Sequence, residues 1–399
     1  MNVKIIPGRA CGAVCAPPSK SAAHRLLICG ALAGNSIIHG LEMSEDILAT
    51  LDCLSALGYQ FDLEGDTVSF KEKTEDQGDL LCRESGSTLR FMIPIALLEN
   101  GKKTFRGSQR LFERPLTVYE DVFDKNGVKY ERGDGFITVN GKLKSGNYTL
   151  PGNVSSQFIT GLLFVLPLLE GDSKITLTGD LQSLSYIDLT VEALSTFGIN
   201  IGRESDNVLL IKGNTKYLPR ELTVEGDWSN AAFFEALNHL GSSVTVTGLR
   251  EDSLQGDKVC RQLFSKLDSG TPIISIADCP DLAPILMTVA AAKNGAVFTD
   301  TARLKIKESD RGTVMAAELA KFGADVVVED NRITVKKAPL HAPTDVIDAH
   351  NDHRVAMSTA ILGTLYGCEI TGAECVKKSL PSFYELLSSL NIEVIKNEA

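Results

Sequence analysis

The sequence predicts an α/β (α+β) fold of two domains, each assembled from three βαβαββ units. Three observations predict it. A polar turn leading into an apolar helix that ends in small residues recurs six times along the 399 residues. Each copy is followed by a second stretch with apolar residues at helical spacing. Short β-rich runs, usually broken by a turn, come next.

Taken in order, the copies begin with PSKSAAHRLLICGALAG from Pro18, ESGSTLRFMIPIALLENG from Glu84 and GNVSSQFITGLLFVLPLLEG from Gly152. They continue with GDWSNAAFFEALNHLG from Gly226, CPDLAPILMTVAAAKNG from Cys279 and HNDHRVAMSTAILGTLYG from His350. Roughly 55 to 75 residues separate successive copies, longer than most solenoid repeats. The second helices are predicted over 46–57, 116–126, 187–197, 259–267, 311–322 and 381–390. Several run into Gly or Asn, a helix stop signal. The β runs are clearest at 59–61 with 67–70, 199–201 with 208–211, and 326–328 with 332–335. Six units divide into two sets of three. The first domain is expected over 14–224. The second takes 1–13, whose strand 3–6 precedes the first unit, plus 225–399, with a two-strand hinge near 13 and 225. A string of unrelated α/β units would not be expected to match six times in order.

Composition bounds the function. The apolar fraction is 43% and the charged fraction 23%, ordinary for a soluble globular protein. The net charge of −11 repels polyanions and argues against nucleic acid as a partner. A local basic pocket can still hold a small anion. Nine cysteines without a CxxC pair suit free thiols in a reducing compartment. Cys29, Cys53 and Cys260 lie in apolar helical patterns and read as core. His350 and His353 near Asp348 and Asp352 lack a third imidazole or thiolate, so no metal is expected. The opening MNVKIIPG has no basic segment followed by a long apolar one. The longest apolar stretch, around 159–169, is too short for a bilayer. A cytoplasmic protein without a membrane partner is the expectation.

Each first helix begins at a polar turn. Its unpaired N–H groups and positive dipole end suit a phosphate or carboxylate. Lys20, Arg25, Arg90 and Arg354 fall at or near such ends. If three helices per domain point into a shared cleft, the six ends would take a ligand with several negative charges. Within 17–25, Ser19 can cap the helix, Lys20 and Ser21 can face the cleft, and Arg25 lies one turn beyond Ser21. A capped helix with solvated charges fits that segment equally well. Ser155, Ser156 and Gln157 are either a cap with a polar first turn or readers of phosphate and hydroxyl. Arg114 precedes a helix that Pro115 can open at its first position. It is either a surface arginine or a bidentate anion ligand. Residues 307–311, KESDR, form the densest charge cluster, with Ser309 or Asp310 as cap. Cations at a helix start oppose the dipole unless an anion binds there. Lys307 and Arg311 also bracket Glu308 and could tune it for proton transfer. Asp281 and Asp352 read first as N-caps, and Lys377, Lys378 and Ser379 as a turn before the last helix.

Together PSKS…R, SGST…R, ERP, SSQ, Asp281, KESDR, DHR and the late Lys-Ser-x-Pro cover essentially the whole chain. In order and approximate spacing they resemble the EPSP synthase family of enolpyruvyl transferases. The resemblance implies two inside-out α/β domains with the active site in the interdomain cleft. It implies transfer of the enolpyruvyl group of phosphoenolpyruvate to the 5-hydroxyl of shikimate 3-phosphate, releasing phosphate, on the route to chorismate and aromatic amino acids. Lys20, Ser21, Arg25, Ser155, Ser156, Gln157, Ser183, Tyr186, Asp281 and Lys307 would hold shikimate 3-phosphate. Lys20, Gly86, Arg114, Gln157, Arg311, Arg354 and Lys378 would hold phosphoenolpyruvate. Asp281 would accept a proton and Glu308 donate one, with Lys20 sharing the work. No metal or organic cofactor is implied, and a monomer is expected. The sequence departs from the family pattern at Glu84 and Phe91, where many relatives have Asn and Pro. It departs again at Arg303, where some have Asn. A UDP-N-acetylglucosamine enolpyruvyl transferase would show Lys-Asn in place of Lys20-Ser21 and a reactive cysteine near 107–113, where there is none. A non-catalytic anion-binding relative is disfavoured by the retention of Asp281, Glu308 and the cations.

Overall fold

The computed structural model describes residues 1–397. The chain divides into two compact units: Lys20–Val224, and Met1–Ser19 with the chain from Glu225 onward.

In Lys20–Val224 the second repeat shows the construction. Strand Asp79–Leu81 leads through helix Gly86–Ala96 to the parallel strand Lys102–Arg106. Helix Thr117–Asn126 then leads to the hairpin Lys129–Gly133 and Phe136–Asn140. The second hairpin strand docks antiparallel on Lys102–Arg106. The third repeat follows the same plan, from strand Asn147–Pro151 to strand Val208–Ile211. The first repeat borrows its opening strand from the far end of the unit. Glu221–Thr223 runs parallel to Ile37–His39, so the last strand of this unit closes its first sheet.

The burial patterns explain the layering. Helices Gly86–Ala96 and Ser156–Val165 are buried on nearly every side, as all-round apolar helices must be. Strand Lys102–Arg106 alternates buried and exposed residues, as expected of a sheet wetted on one face. The central helices approach closely because residue 161 is glycine. A Cβ there would lie 2.2 Å from the Tyr119 hydroxyl and 2.5 Å from the Arg90 carbonyl. That hydroxyl donates to the same carbonyl at 2.6 Å.

In the other unit the fifth repeat keeps the full plan, from strand Ile273–Ser275 to strand Arg332–Lys336. The sixth is completed by the N-terminal strand Asn2–Ile5, which lies antiparallel between Cys368–Thr371 and Val394–Asn397. The fourth repeat departs from the expected βαβαββ. Strand Cys11–Cys15, helix Trp228–His239, parallel strand Ser243–Thr247 and helix Cys260–Ser269 lead directly to Ile273–Ser275. The three residues between that helix and that strand leave no length for a hairpin, so the unit is βαβα and its sheet has two strands. Asn238 serves the strand edge left uncovered. Its amide donates to the Val244 carbonyl at 2.8 Å and accepts from the Val244 N–H at 2.7 Å, the pair of bonds a neighbouring strand would make.

The same pairing corrects the expected first boundary. Strand Cys11–Cys15 pairs along its whole length with Ser243–Thr247. Residues 14–19 therefore go with the chain from Glu225 onward, and the changeover lies at Ser19–Lys20 rather than near 13. The two crossing segments are tied together: the Ser19 N–H donates to the Glu225 carbonyl and the Asp227 N–H to the Pro17 carbonyl, both at 2.7 Å. Cys29, Cys53 and Cys260 are all buried core residues.

Candidate functional site

Each unit gathers its own set of the expected residues. In Lys20–Val224, helix Lys20–Ala33 starts the first set. Lys20 Nζ lies 2.8 Å from Asp46 Oδ2, on the first turn of helix Glu45–Ala56. Arg25, one turn on, is buried. Its Nε donates to Thr190 Oγ1 at 2.9 Å, and its terminal nitrogens to the carbonyls of Ser21 (2.7 Å) and Tyr186 (3.0 Å). Burial lowers its guanidinium to about 10. The reading of solvated charges thus fails for Arg25, because the helix turns it toward the start of helix Leu184–Thr196. Ser183, just before that helix, is buried and holds a left-handed φ of 58°. That conformation is uncommon for serine and is held by its surroundings.

The second grouping centres on the start of helix Gly86–Ala96. Ser85 caps it, accepting from the Thr88 N–H at 3.2 Å. The Arg114 guanidinium rests against Gly86, since a Cβ there would lie 2.6 Å from its nearer nitrogen. Arg114 is buried, not a surface arginine. Pro115 does not open the next helix: that helix begins at Thr117 with Leu116 as N-cap, and the Pro115 carbonyl accepts instead from Arg90 at 3.3 Å. Ser155 caps helix Ser156–Val165, accepting from the Gln157 N–H at 3.3 Å. Ser156 is the first, buried residue of that helix. The Gln157 amide bridges two residues of the neighbouring helix, accepting from Arg90 at 2.7 Å and donating to Ser87 Oγ at 2.9 Å.

In the unit that holds the rest, Arg311 is the hub. It is 1% exposed and begins helix Arg311–Lys321, capped by Asp310. Its Nε donates to Asp352 at 2.9 Å, and its terminal nitrogens reach Asp281 at 2.8 Å, Glu308 at 2.6 Å and Asp352 again at 3.3 Å. These contacts engage four of its five N–H donors. Asp281 is not the N-cap its position suggested. It lies in the turn Pro280–Leu282 ahead of helix Ala283–Ala292, whose N-cap is Leu282. Its carboxylate faces Arg311, Lys307 at 3.1 Å and Arg354 at 3.8 Å. Burial alone would raise its carboxyl, but these three cations hold it well below the usual carboxylate range. Burial lowers the Lys307 ammonium, with Arg311 and Arg303 acting in the same direction.

Asp352 caps helix His353–Tyr366, accepting from the Arg354 N–H at 2.9 Å, and also accepts from Ser309 at 2.9 Å. Arg354 is buried, reaching the Asp281 carbonyl at 3.0 Å and Ser229 Oγ at 2.7 Å. Lys378 donates to the Asn351 carbonyl at 2.6 Å. It is buried, so its turn is not a solvated one. His350 pairs with Glu318 at 3.0 Å. Among the described residues, no three His, Cys, Asp or Glu side chains are placed to hold a metal, and no helix is long and apolar enough to cross a membrane.

Sequence reasoning missed Asp46, Ser87, Ser229 and the role of Asp352 as a ligand of Arg311. Each reaches its partner across 26 to 125 residues of chain. The local signal of each was only that of a helix cap or first turn.

The chain is similar to known proteins along nearly its whole length. The family described as EPSP synthase (3-phosphoshikimate 1-carboxyvinyltransferase) matches residues 6–269 and 265–387. A 3-phosphoshikimate 1-carboxyvinyltransferase of Clostridium beijerinckii is 38% identical over 424 aligned residues, covering 98% of this chain and 97% of its own. One from Clostridium kluyveri is 40% identical, covering 98% of each. The EPSP synthase structure of Acinetobacter baumannii superposes with a TM-score of 0.77 at 23% identity, covering 99% of this chain and 100% of its own. The enolpyruvyl transferase NikO of Streptomyces tendae superposes with 0.79 at 15% identity, covering 100% and 99%. At these identities the two structures establish the shared fold.

Proposed function

The chain belongs to the EPSP synthase family, and on that premise we propose that it transfers the enolpyruvyl group of phosphoenolpyruvate to the 5-hydroxyl of shikimate 3-phosphate. The observation that carries the reading is Arg311, buried and gripped by Asp281, Glu308 and Asp352, with Lys307 and Arg354 on the same Asp281. Such a concentration of ionised groups is costly unless substrate anions and proton transfers use it.

In this reading the 5-hydroxyl oxygen bonds to C2 of phosphoenolpyruvate while C3 takes a proton, giving a tetrahedral phospho-ketal. The C2–O bond to phosphate then breaks and C3 loses a proton, leaving the enolpyruvyl ether. Glu308 delivers the proton to C3 and Asp281 accepts the hydroxyl proton, with Lys20 assisting. Asp281 held by three cations is a weak base. Substrate phosphate and carboxylate engage those cations, so binding itself raises the basicity of Asp281. Lys20, Ser21, Arg25, Ser155, Ser156, Gln157, Ser183 and Tyr186 serve shikimate 3-phosphate together with Asp281 and Lys307. Gly86, Arg114, Arg311, Arg354 and Lys378 serve phosphoenolpyruvate, with Lys20 and Gln157 shared. Arg311 meets its ligand by exchanging a carboxylate for it, since one N–H is left over. The cations stabilise the charge that develops. A cytoplasmic monomer is part of the proposal.

The test is phosphate release from phosphoenolpyruvate. Release that requires shikimate 3-phosphate supports the reading. Release only with UDP-N-acetylglucosamine, or binding without turnover, overturns it.

A further inference from the structure

His350 and Asn351 join strand Ile347–Asp348 to helix His353–Tyr366, and both are left-handed, with φ of 49° and 53°. Two such residues in succession, neither a glycine, make a strained turn that persists only where its surroundings hold it. The turn serves the site at one atom: the Asn351 carbonyl accepts from Lys378 Nζ at 2.6 Å. Asp352, the next residue, has its own anchors in Arg311, Ser309 and the Arg354 N–H. The turn itself is gripped by Glu318, on helix Arg311–Lys321 and 2% exposed. One oxygen of that carboxylate accepts from the Asp348 N–H at 3.0 Å, and the other pairs with His350 Nε2 at 3.0 Å. Asp348 Oδ1 accepts from the His350 N–H at 2.7 Å, so side chain and backbone of His350 are both held. Lys321, three residues along the helix, balances the buried charge at 2.7 Å and donates to the Val346 carbonyl at 2.8 Å.

We propose that Glu318 is a positioning residue for Lys378: by holding the strained turn it aims the Asn351 carbonyl that fixes the ammonium where phosphoenolpyruvate is received. The inference rests on the reading of Lys378 as a ligand of that substrate. A lysine has a long, flexible stem, and its ammonium contributes most to binding when it is already in place. A carbonyl aimed by a rigid turn supplies that placement before substrate arrives, which lowers the ordering cost of binding. A need for a tight turn alone does not account for Glu318. Glycine at 350 and 351 would take the left-handed form without strain and without a buried charge to hold it. Side chains at both positions, held by a paired carboxylate from a neighbouring helix, give instead a turn with one direction.

The test uses the full-length enzyme and steady-state kinetics with both substrates. For Glu318→Ala, KM for phosphoenolpyruvate should rise about tenfold, with kcat and KM for shikimate 3-phosphate within about twofold. Glu318→Gln keeps an acceptor for the Asp348 N–H and should recover most of the loss. Added to Lys378→Ala, Glu318→Ala should raise the KM for phosphoenolpyruvate no further, because the contact it supports is already gone. Should Glu318→Ala not fold, His350→Ala carries the test. It removes the imidazole contact and leaves an alanine in the left-handed form, and the same KM should rise about threefold or more. An unchanged KM for phosphoenolpyruvate in a folded variant overturns the proposal. So do multiplying effects in the double variant, an equal rise in both KM values, or a fall in kcat alone. Wild-type enzyme without turnover overturns the transferase reading and this proposal together; wild-type turnover with an unaffected variant overturns this proposal alone.

Discussion

Glu308 and Gly86 show how much depends on single side chains. Glu308 reaches Arg311 at 2.6 Å, so Glu308→Gln keeps the shape and an acceptor while removing the acid. The expected result is near-normal substrate binding with kcat down about 100-fold or more, ~3 kcal/mol of transition-state stabilisation. Near-normal turnover would refute the donor role. Gly86→Ala tests the other set. Its Cβ would press on Arg114 at 2.6 Å, so the guanidinium must move. KM for phosphoenolpyruvate should rise at least several-fold while KM for shikimate 3-phosphate changes little. A variant that loses shikimate 3-phosphate instead would reassign Arg114. The positions of Lys20, Arg25, Arg311 and Arg354 near helix starts were legible in the sequence. Their partners were not, because Asp46, Thr190, Asp352 and Ser229 lie on other helices.

At the scale of elements, the six apolar helix starts were readable from periodicity and polar turns, and so was the repeat. The shortened fourth repeat could be seen only once strands were paired, because its lack of a hairpin is a matter of chain length between helix Cys260–Ser269 and strand Ile273–Ser275. Asn238 looks like any polar residue near a helix end until Val244 is set beside it. Asn238→Ala leaves the Val244 N–H and carbonyl without their side-chain partner. It should cost about 1–2 kcal/mol, read as a lower midpoint in urea. An unchanged midpoint would show that water replaces the amide at no cost. Gly161→Ala should cost more, at least about 2 kcal/mol, because the added methyl meets a backbone carbonyl and a tyrosine hydroxyl at once.

Across the whole molecule, stability should respond to pH through two opposed groups of carboxyls. Asp281 and Asp352 are held below their usual range by Lys307, Arg354 and Arg311, although burial works the other way. Their stabilisation is present above about pH 4, the unfolded value, and is lost as pH falls through their folded values. Asp257 is raised to about 7 in a setting that includes Asp281, Asp227, Arg354, Cys260 and Cys279. Its effect has the opposite sign, with stability declining as pH rises from about 4 through about 7. Asp257→Asn should therefore raise Tm at pH 8 relative to wild type and leave it little changed at pH 4.5. A lower Tm at pH 8 would contradict the raised carboxyl. The sequence by itself determined the repeat, the fold class and which residue types stand at each helix start, because periodicity, capping and turn chemistry act over a few neighbouring residues. Only the tertiary structure decided which strand completes which sheet, that residues 11–15 pair with a strand from beyond residue 240, and that three acids share one arginine. Those are contacts between segments far apart in the chain, fixed by the competition of many surfaces for burial and hydrogen bonds, and no local pattern records its outcome.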